Sequence, residues 1–117
     1  MLLACAEGEQ HTLGLEALLA ALAEQHIDTR LLGTSVPDQV LLTAVDKLQP
    51  TAVVVWAQVA DTAAPTLMRT LAARPGLVIA AGPGWDRAGL HPPVARAGSL
   101  QQAVIQARAA PRTAAAR

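Results

Sequence analysis

Hydrophobic positions along the chain follow two alternating patterns. Short apolar runs predict strands, and continuously apolar runs are typical of strands covered by helices on both faces. These runs are residues 2–6, 28–32, 52–57, 77–81 and 94–97. Segments whose apolar residues have helical spacing separate the runs. They predict helices at residues 12–25, at about 34–49, at about 63–73 and from Ser99 onwards.

Individual residues refine the predicted helices. Four leucines of the first helix, spaced at i, i+3, i+4 and i+7, form its expected buried face: Leu15, Leu18, Leu19 and Leu22. Thr34 or Ser35 is expected near the cap of the second helix, and Ser99 is expected to cap the last one. The residues expected to face the core from these two helices are Val40 or Leu41, Val45, Leu48, Leu100, Val104 and Ala107.

The alternation of five strands with helices predicts the fold class. It implies a parallel sheet with right-handed crossovers, and we expect a three-layer α/β/α, doubly wound, five-stranded parallel sheet. Residues 1–110 would form one domain and residues 111–117 a frayed tail. Ligands bind such sheets at the carboxyl ends of the strands. The loops expected there are 7–14, 33–37, 57–62 and 82–86.

Composition and charge narrow the classes of function. A chain of 117 residues, 52% of them hydrophobic and none of them Phe or Tyr, predicts one domain with an aliphatic core. The formal net charge of +0 argues against contact with nucleic acid or an anionic membrane. No apolar run approaches the ~18 residues that a membrane span needs, and no leader-like segment precedes Cys5. A single cysteine suits a reducing, cytoplasmic location.

Candidate chemistry concentrates in the first crevice loop, which reads EGEQHTLG at residues 7–14. His11 lies there, whereas His26 and His91 are interpreted as solvated residues outside the crevice. A histidine that binds a metal usually donates its other ring N–H to a carboxylate, and Glu9 is close enough in sequence to accept it. A lone loop histidine is more often structural. Residue chemistry alone therefore leaves both interpretations open.

Other chemistries find less support in the sequence. The chain has no GxGxxG fingerprint and no P-loop lysine, so a phosphate-cradling nucleotide site is not predicted. Ser35 and Asp61 lie in crevice loops, but they form no convincing Ser-His-acid set. We therefore expect a binding module and not an enzyme in itself.

The first loop resembles a known motif. Glu9-x-His11-x-x-Gly14 is similar to the Asp-x-His-x-x-Gly motif of cobalamin-binding domains. These are the flavodoxin-like modules of B12-dependent mutases, methionine synthase, corrinoid methyltransferase carriers and MerR-type light-sensing transcriptional regulators. Glu in place of Asp is most like the regulator branch. Weaker similarities at residues 32–37, 81–84 and 98–100 extend the resemblance to most of the chain, about residues 2–108.

The resemblance implies roles for particular residues. His11 would bind cobalt from below in place of the corrinoid's own benzimidazole, and Glu9 would hydrogen-bond the far ring nitrogen. The cofactor would be adenosyl- or methylcobalamin. The residues that would leave room for the displaced nucleotide tail or line its pocket are Gly14, Gly33, Ser35, Gln58, Gly82 and Gly84.

One position departs from the family pattern. Where the family has Ser-x-Leu or Ser-x-Thr after the third strand, this chain reads Trp56-Ala57-Gln58. The indole is large enough to fill the tail slot, or it packs under a helix. Gln58 is the candidate for the missing polar contact.

Three functions remain open at this point. The chain is a cobalamin-binding sensor or carrier, a degenerate domain that serves protein–protein contact, or the small corrinoid subunit of a methyltransferase or mutase. The regulators carry a DNA-binding domain and a helical cap ahead of this domain, whereas here the first strand begins near Met1. Three alternatives stay open: the protein works without these parts, Met1 begins a fragment of a longer reading frame, or a separate chain carries the DNA-binding or catalytic unit. A homo-oligomer is a further possibility.

Overall fold

The structure, a computed structural model, describes residues 1–110. Within this range the strands are β1 (Leu2–Cys5), β2 (Arg30–Gly33), β3 (Ala52–Trp56), β4 (Leu77–Ala81) and β5 (Ala95–Ala97). The helices are α1 (Leu13–Glu24), α2 (Asp38–Leu48), α3 (Pro65–Ala72) and α4 (Leu100–Ala109). None of the helices in this range is long and apolar enough to cross a membrane. The tail predicted at 111–117 lies outside the described residues.

All the strands run parallel, in the order β2-β1-β3-β4-β5. This order is that of a flavodoxin-like, doubly wound sheet, which confirms the predicted fold class. The chain moves to one side of β1 to form β2 and then crosses back to form β3. The switch point therefore lies between β1 and β3, and a crevice opens at the carboxyl ends of these strands.

The core consists of two layers, one on each face of the sheet. Successive residues of a strand point to opposite faces, so Leu2 and Ala4 pack with α2 and α3, whereas Leu3 and Cys5 pack with α1 and α4. β1 and the first four residues of β3 are buried along their whole length. This burial on both faces is why these strands read as continuous apolar runs.

The second helix differs from its prediction in two respects. Its N-cap is Pro37, which makes no side-chain capping hydrogen bond. The Ser35 hydroxyl instead accepts a hydrogen bond from the backbone N–H of Gly8, 2.9 Å away. Leu41 and Val45 face the core as expected, but Leu48 is 43% exposed because it is the last residue of the helix.

The last helix begins as predicted but packs through different residues. The Ser99 hydroxyl accepts a hydrogen bond from the backbone N–H of Gln102 at 3.1 Å, which confirms it as the cap. Ala103 and Ala107 are buried, whereas Leu100 is 46% exposed. α4 packs against α1, and small side chains allow this close approach. The burial of Ala107 was predicted, whereas that of Ala103 was not. The prediction that Leu100 faces the core is wrong.

Trp85 is the largest fully buried side chain of the core. No element was predicted at residues 85–93, and an aliphatic core was expected. The indole is 2% exposed, and its Nε1 donates a hydrogen bond to the Val55 carbonyl at 3.1 Å. A single turn of 3₁₀ helix, Pro83–Trp85, delivers this side chain to the sheet. The turn after β4 is therefore anchored in the core.

Candidate functional site

A buried carboxylate organises the crevice at the switch point. Glu9 follows β1 and is 1% exposed. Its Oε1 accepts hydrogen bonds from the Gln58 backbone N–H and the Thr62 hydroxyl, both at 2.6 Å. Its Oε2 accepts from the His11 backbone N–H at 3.0 Å and lies 2.6 Å from His11 Nδ1. One side chain thus ties the loop after β1 to the loop after β3.

The hydrogen bonds keep Glu9 charged despite its burial. Burial raises the pKa of the carboxyl group, but the hydrogen bonds from Thr62, His11 and Gln58 outweigh it and lower the pKa to about 2. Glu9 is therefore a carboxylate at neutral pH. A fixed negative charge lies beneath the His11 ring.

His11 combines a fixed ring with an accessible nitrogen. Its side chain is 65% exposed, although its Nδ1 is held by the buried Glu9 carboxylate. Because an ionised carboxylate only accepts hydrogen bonds, we assign the proton to Nδ1. In the neutral imidazole the lone pair then lies on Nε2, which makes no hydrogen bond within the described part of the chain. The predicted contact between Glu9 and His11 is present, while the role of His11 as a metal ligand stays a prediction.

The loop after β2 lies against the same site. The backbone N–H of Ser35 donates to the Glu9 carbonyl at 2.8 Å, and the Ser35 hydroxyl is used by Gly8. Gly33, at a φ of +110°, has open space beside its Cα. The structure thus brings Gly33 and Ser35 to the crevice, but the Ser35 hydroxyl already has a partner inside the protein.

The two glycines after β4 are crowded by the chain itself. A Cβ at Gly82 would lie 2.4 Å from the Ala57 carbonyl oxygen, and a Cβ at Gly84 would lie 2.4 Å from the Val59 carbonyl oxygen. Gly84 also donates its N–H to Ala57 at 2.8 Å. The loop after β3 therefore leaves no room for a side chain at either position, and the role of these glycines beside a nucleotide tail stays a prediction. Gln58, at the centre of that loop, reaches Glu9 through its backbone N–H.

Trp56 lies across the crevice between two glycines. A Cβ at Gly14 would be 2.3 Å from Trp56 Cη2, and a Cβ at Gly82 would be 3.1 Å from Trp56 Cδ2. Gly14 thus gives room for a bulky group, as expected, but that group is the indole. Trp56 Nε1 is buried without a hydrogen-bond partner among residues 1–110. Packing, and not hydrogen bonding, holds the ring.

This packing predicts that Gly14→Ala destabilises the wild type but stabilises a variant without the Trp56 indole. In the wild type, Gly14→Ala should destabilise the fold by about 1–3 kcal/mol, because the new Cβ overlaps the indole. In a Trp56→Ala background the same change should stabilise it by about 0.5–1 kcal/mol, since alanine favours a helix over glycine. Urea unfolding of the four proteins measures both effects. Equal effects of Gly14→Ala in the two backgrounds would contradict the placement of the indole.

A cavity of about 250 Å³ lies beside the indole, between α1 and the start of α4. Its lining includes Gly14, Trp56, Gly82 and Arg96 but not Glu9 or His11.

Arg96, on β5, was not singled out from the sequence. Its guanidinium donates to the carbonyls of Ala80 at 3.2 Å and Gly82 at 2.7 Å, and it pairs with Asp86 at 2.6 Å. The sequence feature that could have pointed to Arg96 is its position as an arginine in a short edge strand next to a glycine.

The other histidines lie in other segments of the chain, whereas the Cys5 thiol donates a hydrogen bond to the His11 carbonyl oxygen at 3.6 Å. His26 lies in the turn after α1, with a φ of 59°, and His91 is exposed in the loop before β5. Cys5 is fully buried in β1, as predicted, and burial raises the pKa of its thiol to about 11. Within residues 1–110, no three or more His, Cys, Asp or Glu side chains are grouped to hold a metal ion.

Comparison with solved structures supports the fold. The chain is similar to the methanol:cobalamin methyltransferase complex MtaBC from Methanosarcina barkeri, with a TM-score of 0.79 and 19% identity over 92% of this chain and 44% of that one. It is similar to a cobalamin-binding protein from Desulfitobacterium hafniense DCB-2, with a TM-score of 0.76 and 19% identity over 92% and 57%. For the Methanosarcina barkeri monomethylamine corrinoid protein the TM-score is 0.74, with 18% identity over 91% and 55%.

The sequence itself has no such match. No family model and no curated protein matches it. The chain spans about half the length of the solved structures named above. These neighbours are cobalamin and corrinoid proteins and not regulators, so the likeness to the regulator branch stays a prediction. The chain has the flavodoxin-like fold of the solved cobalamin-binding proteins.

Proposed function

We propose that the chain is a corrinoid-binding module that holds cobalamin through His11 Nε2, as the lower axial ligand of cobalt. The observation that carries this proposal is the His11–Glu9 pair at the switch point, where a buried carboxylate lies 2.6 Å from Nδ1. A carboxylate on the far nitrogen of a metal-bound imidazole fixes the ring and increases its basicity as a ligand. The fold of the solved cobalamin-binding proteins supports the same proposal.

The residues present fit the cobalt-facing side of such a cofactor. Cobalt held in a corrin ring needs one further ligand on its lower face, and one imidazole supplies it. Because His11 is 65% exposed, a flat ring system has room to approach Nε2. The bound corrinoid would supply organometallic chemistry at cobalt, while the protein binds it and tunes its lower ligand. The nucleotide tail fits less well, because Trp56 lies in the slot that the resemblance assigns to it.

The module would act as a sensor or a carrier, with any catalysis on another chain. One of its structural neighbours is a methyltransferase complex, which supports a carrier that serves a separate methyltransferase. A regulator would instead need a partner with a DNA-binding domain. A methyltransferase or mutase gene beside this one would favour the carrier, and a winged-helix gene would favour the regulator. The cofactor of this proposal is adenosyl- or methylcobalamin.

A visible-spectrum titration tests the proposal. Hydroxocobalamin added to purified protein should give a retained red chromophore with the spectrum of histidine-bound, base-off cobalamin. The variant His11→Ala should lose that spectrum. His91→Ala, which removes another exposed loop histidine, should keep it and serves as the matched control. Colour that gel filtration strips from the wild type as readily as from His11→Ala would overturn the proposal.

A domain that has lost corrinoid binding and serves protein–protein contact is the second candidate. The indole in the tail slot favours it, as does Leu13, which is 80% exposed beside the crevice. In this case neither hydroxocobalamin nor a corrinoid without the lower nucleotide would change its spectrum on mixing. The same titration therefore separates the two candidates.

A further inference from the structure

Trp56 occupies the crevice with the fit of a core residue. The indole contacts the face of Gly14 that has no Cβ, where a Cβ would lie 2.3 Å from Cη2 and 2.5 Å from Cζ2. It contacts Gly82 on another crevice loop, where a Cβ would lie 3.1 Å from Cδ2. Two glycines thus provide the room that the indole uses. The ring is a built part of the site and not a loose surface side chain.

The backbone of the loop after β3 closes the space beside the two glycines that follow β4. The carbonyls of Ala57 and Val59 press against Gly82 and Gly84, at distances that leave no room even for a methyl group. A ligand tail inserted here would have to displace backbone that is itself hydrogen-bonded, since Ala57 accepts the N–H of Gly84 at 2.8 Å. The room that a tail could use is therefore the room that the indole fills between Gly14 and Gly82, and not the backbone side of Gly82 and Gly84.

The neighbouring cavity does not replace the slot. Its volume is about 250 Å³, whereas sites for drug-sized ligands have roughly 300–1,000 Å³. A nucleotide tail also carries a negatively charged phosphodiester, which a cationic side chain holds most strongly. The cationic side chain that lines the cavity is Arg96, and it is already paired with Asp86 and with backbone carbonyls. The carboxylate of Asp86 lines the cavity too and would repel a phosphate.

We propose that Trp56 is a selectivity residue that excludes the lower nucleotide, so that the site prefers corrinoids without this nucleotide over complete cobalamin. This inference rests on the proposed corrinoid binding through His11. A corrinoid of this class, of which cobinamide is an example, presents cobalt to His11 without a tail to be stored in the protein. Complete cobalamin would bind with its tail outside the slot, so the tail would add no binding free energy.

Paired titrations of two corrinoids test this inference. Hydroxocobalamin and the aquo-hydroxo form of cobinamide are titrated into the wild type and into Trp56→Ala, and Kd is read from the visible spectrum. Removal of the indole should tighten cobalamin binding about tenfold, because the tail then buries apolar surface in the vacated slot. The Kd for cobinamide should change by less than about threefold. Trp56→Phe, which keeps a smaller ring, should give an intermediate ratio and provides a second variant should Trp56→Ala unfold.

Each outcome of the titrations has a distinct meaning. If the wild type binds cobalamin about tenfold more tightly than cobinamide and Trp56→Ala weakens cobalamin, the indole belongs to a tail site and the inference is overturned. Equal changes for both corrinoids would overturn it too, since Trp56 would then act on the ring and not on the tail. In both cases the proposed function survives. Only the failure of both corrinoids to give a His11-dependent spectrum removes the proposed function itself.

Discussion

Glu9→Gln is expected to lower the free energy of unfolding by about 3 kcal/mol. The Glu9 carboxylate accepts hydrogen bonds from five donors: the backbone N–H groups of Gln58, Val59 and His11, the Thr62 hydroxyl and His11 Nδ1. An amide has one acceptor oxygen, and its NH₂ group would face donors that it cannot satisfy. With Glu9 1% exposed, water does not substitute for the lost acceptor.

Glu7→Gln is the matched control for this prediction. Glu7 lies in the same loop and is exposed, and its Oε1 accepts a single hydrogen bond from the backbone N–H of Asp38 at 3.1 Å. Its replacement should cost less than about 1 kcal/mol. Guanidinium unfolding at neutral pH measures both variants. Similar losses of unfolding free energy in the two variants would show that the Glu9 carboxylate does not organise the hydrogen bonds of the crevice.

The same carboxylate predicts how the stability difference depends on pH. The pKa of Glu9 falls from 4.5 to about 2 on folding, so its stabilisation is complete above pH 4.5 and is lost as the pH falls towards 2. This shift corresponds to about 3 kcal/mol. The gap between the wild type and Glu9→Gln should therefore narrow across this window in unfolding experiments without corrinoid. A gap that stays constant down to pH 2 would contradict the network of hydrogen bonds described for Glu9.

Gly82→Ala is expected to cost about 3 kcal/mol, and Gly33→Ala only about 1 kcal/mol. Both glycines have strongly positive φ angles, +101° and +110°, so both pay for a strained backbone. Only Gly82 also meets a backbone oxygen, that of Ala57, at 2.4 Å from a new Cβ, whereas nothing lies within 4 Å of a Cβ at Gly33. The difference between the two losses of stability measures how closely the Ala57 carbonyl packs against Gly82.

Urea unfolding of both glycine variants provides the measurement. Equal costs would mean that the loop after β3 does not press against Gly82. In that case the cradle expected from the sequence would be open, and Trp56 would have less support in its present place. The comparison therefore bears on the exclusion of the nucleotide tail as well as on stability.

The sequence predicts the fold well because local pattern and tertiary burial agree in the strands. The run 77–81 coincides with β4, and the parallel order follows from the regular alternation of strands and helices. The contact between Glu9 and His11 was also predictable, because the two residues are only two positions apart and lie in the same loop. Such features depend on neighbours in sequence.

Features that depend on distant contacts were missed. Leu48 and Leu100 have the apolar character of core residues, but each lies at the end of its helix, where the sheet gives little cover. The close approach of the Ala57 carbonyl to the glycines after β4 was not predicted, because it joins two loops that are far apart in sequence. Trp85 was missed because no pattern marks a buried side chain in a single turn.

Electron paramagnetic resonance of the cobalt(II) form tests the central claim most directly. The unpaired electron of cobalt couples to the nucleus of the axial nitrogen, so protein grown with nitrogen-15 histidine should show each cobalt line split into a doublet when unlabelled hydroxocobalamin is bound and reduced. The doublet should be lost in His11→Ala and kept in His91→Ala. A triplet in the labelled wild type, which reports the corrinoid's own nitrogen, or the absence of nitrogen splitting would contradict His11 as the cobalt ligand.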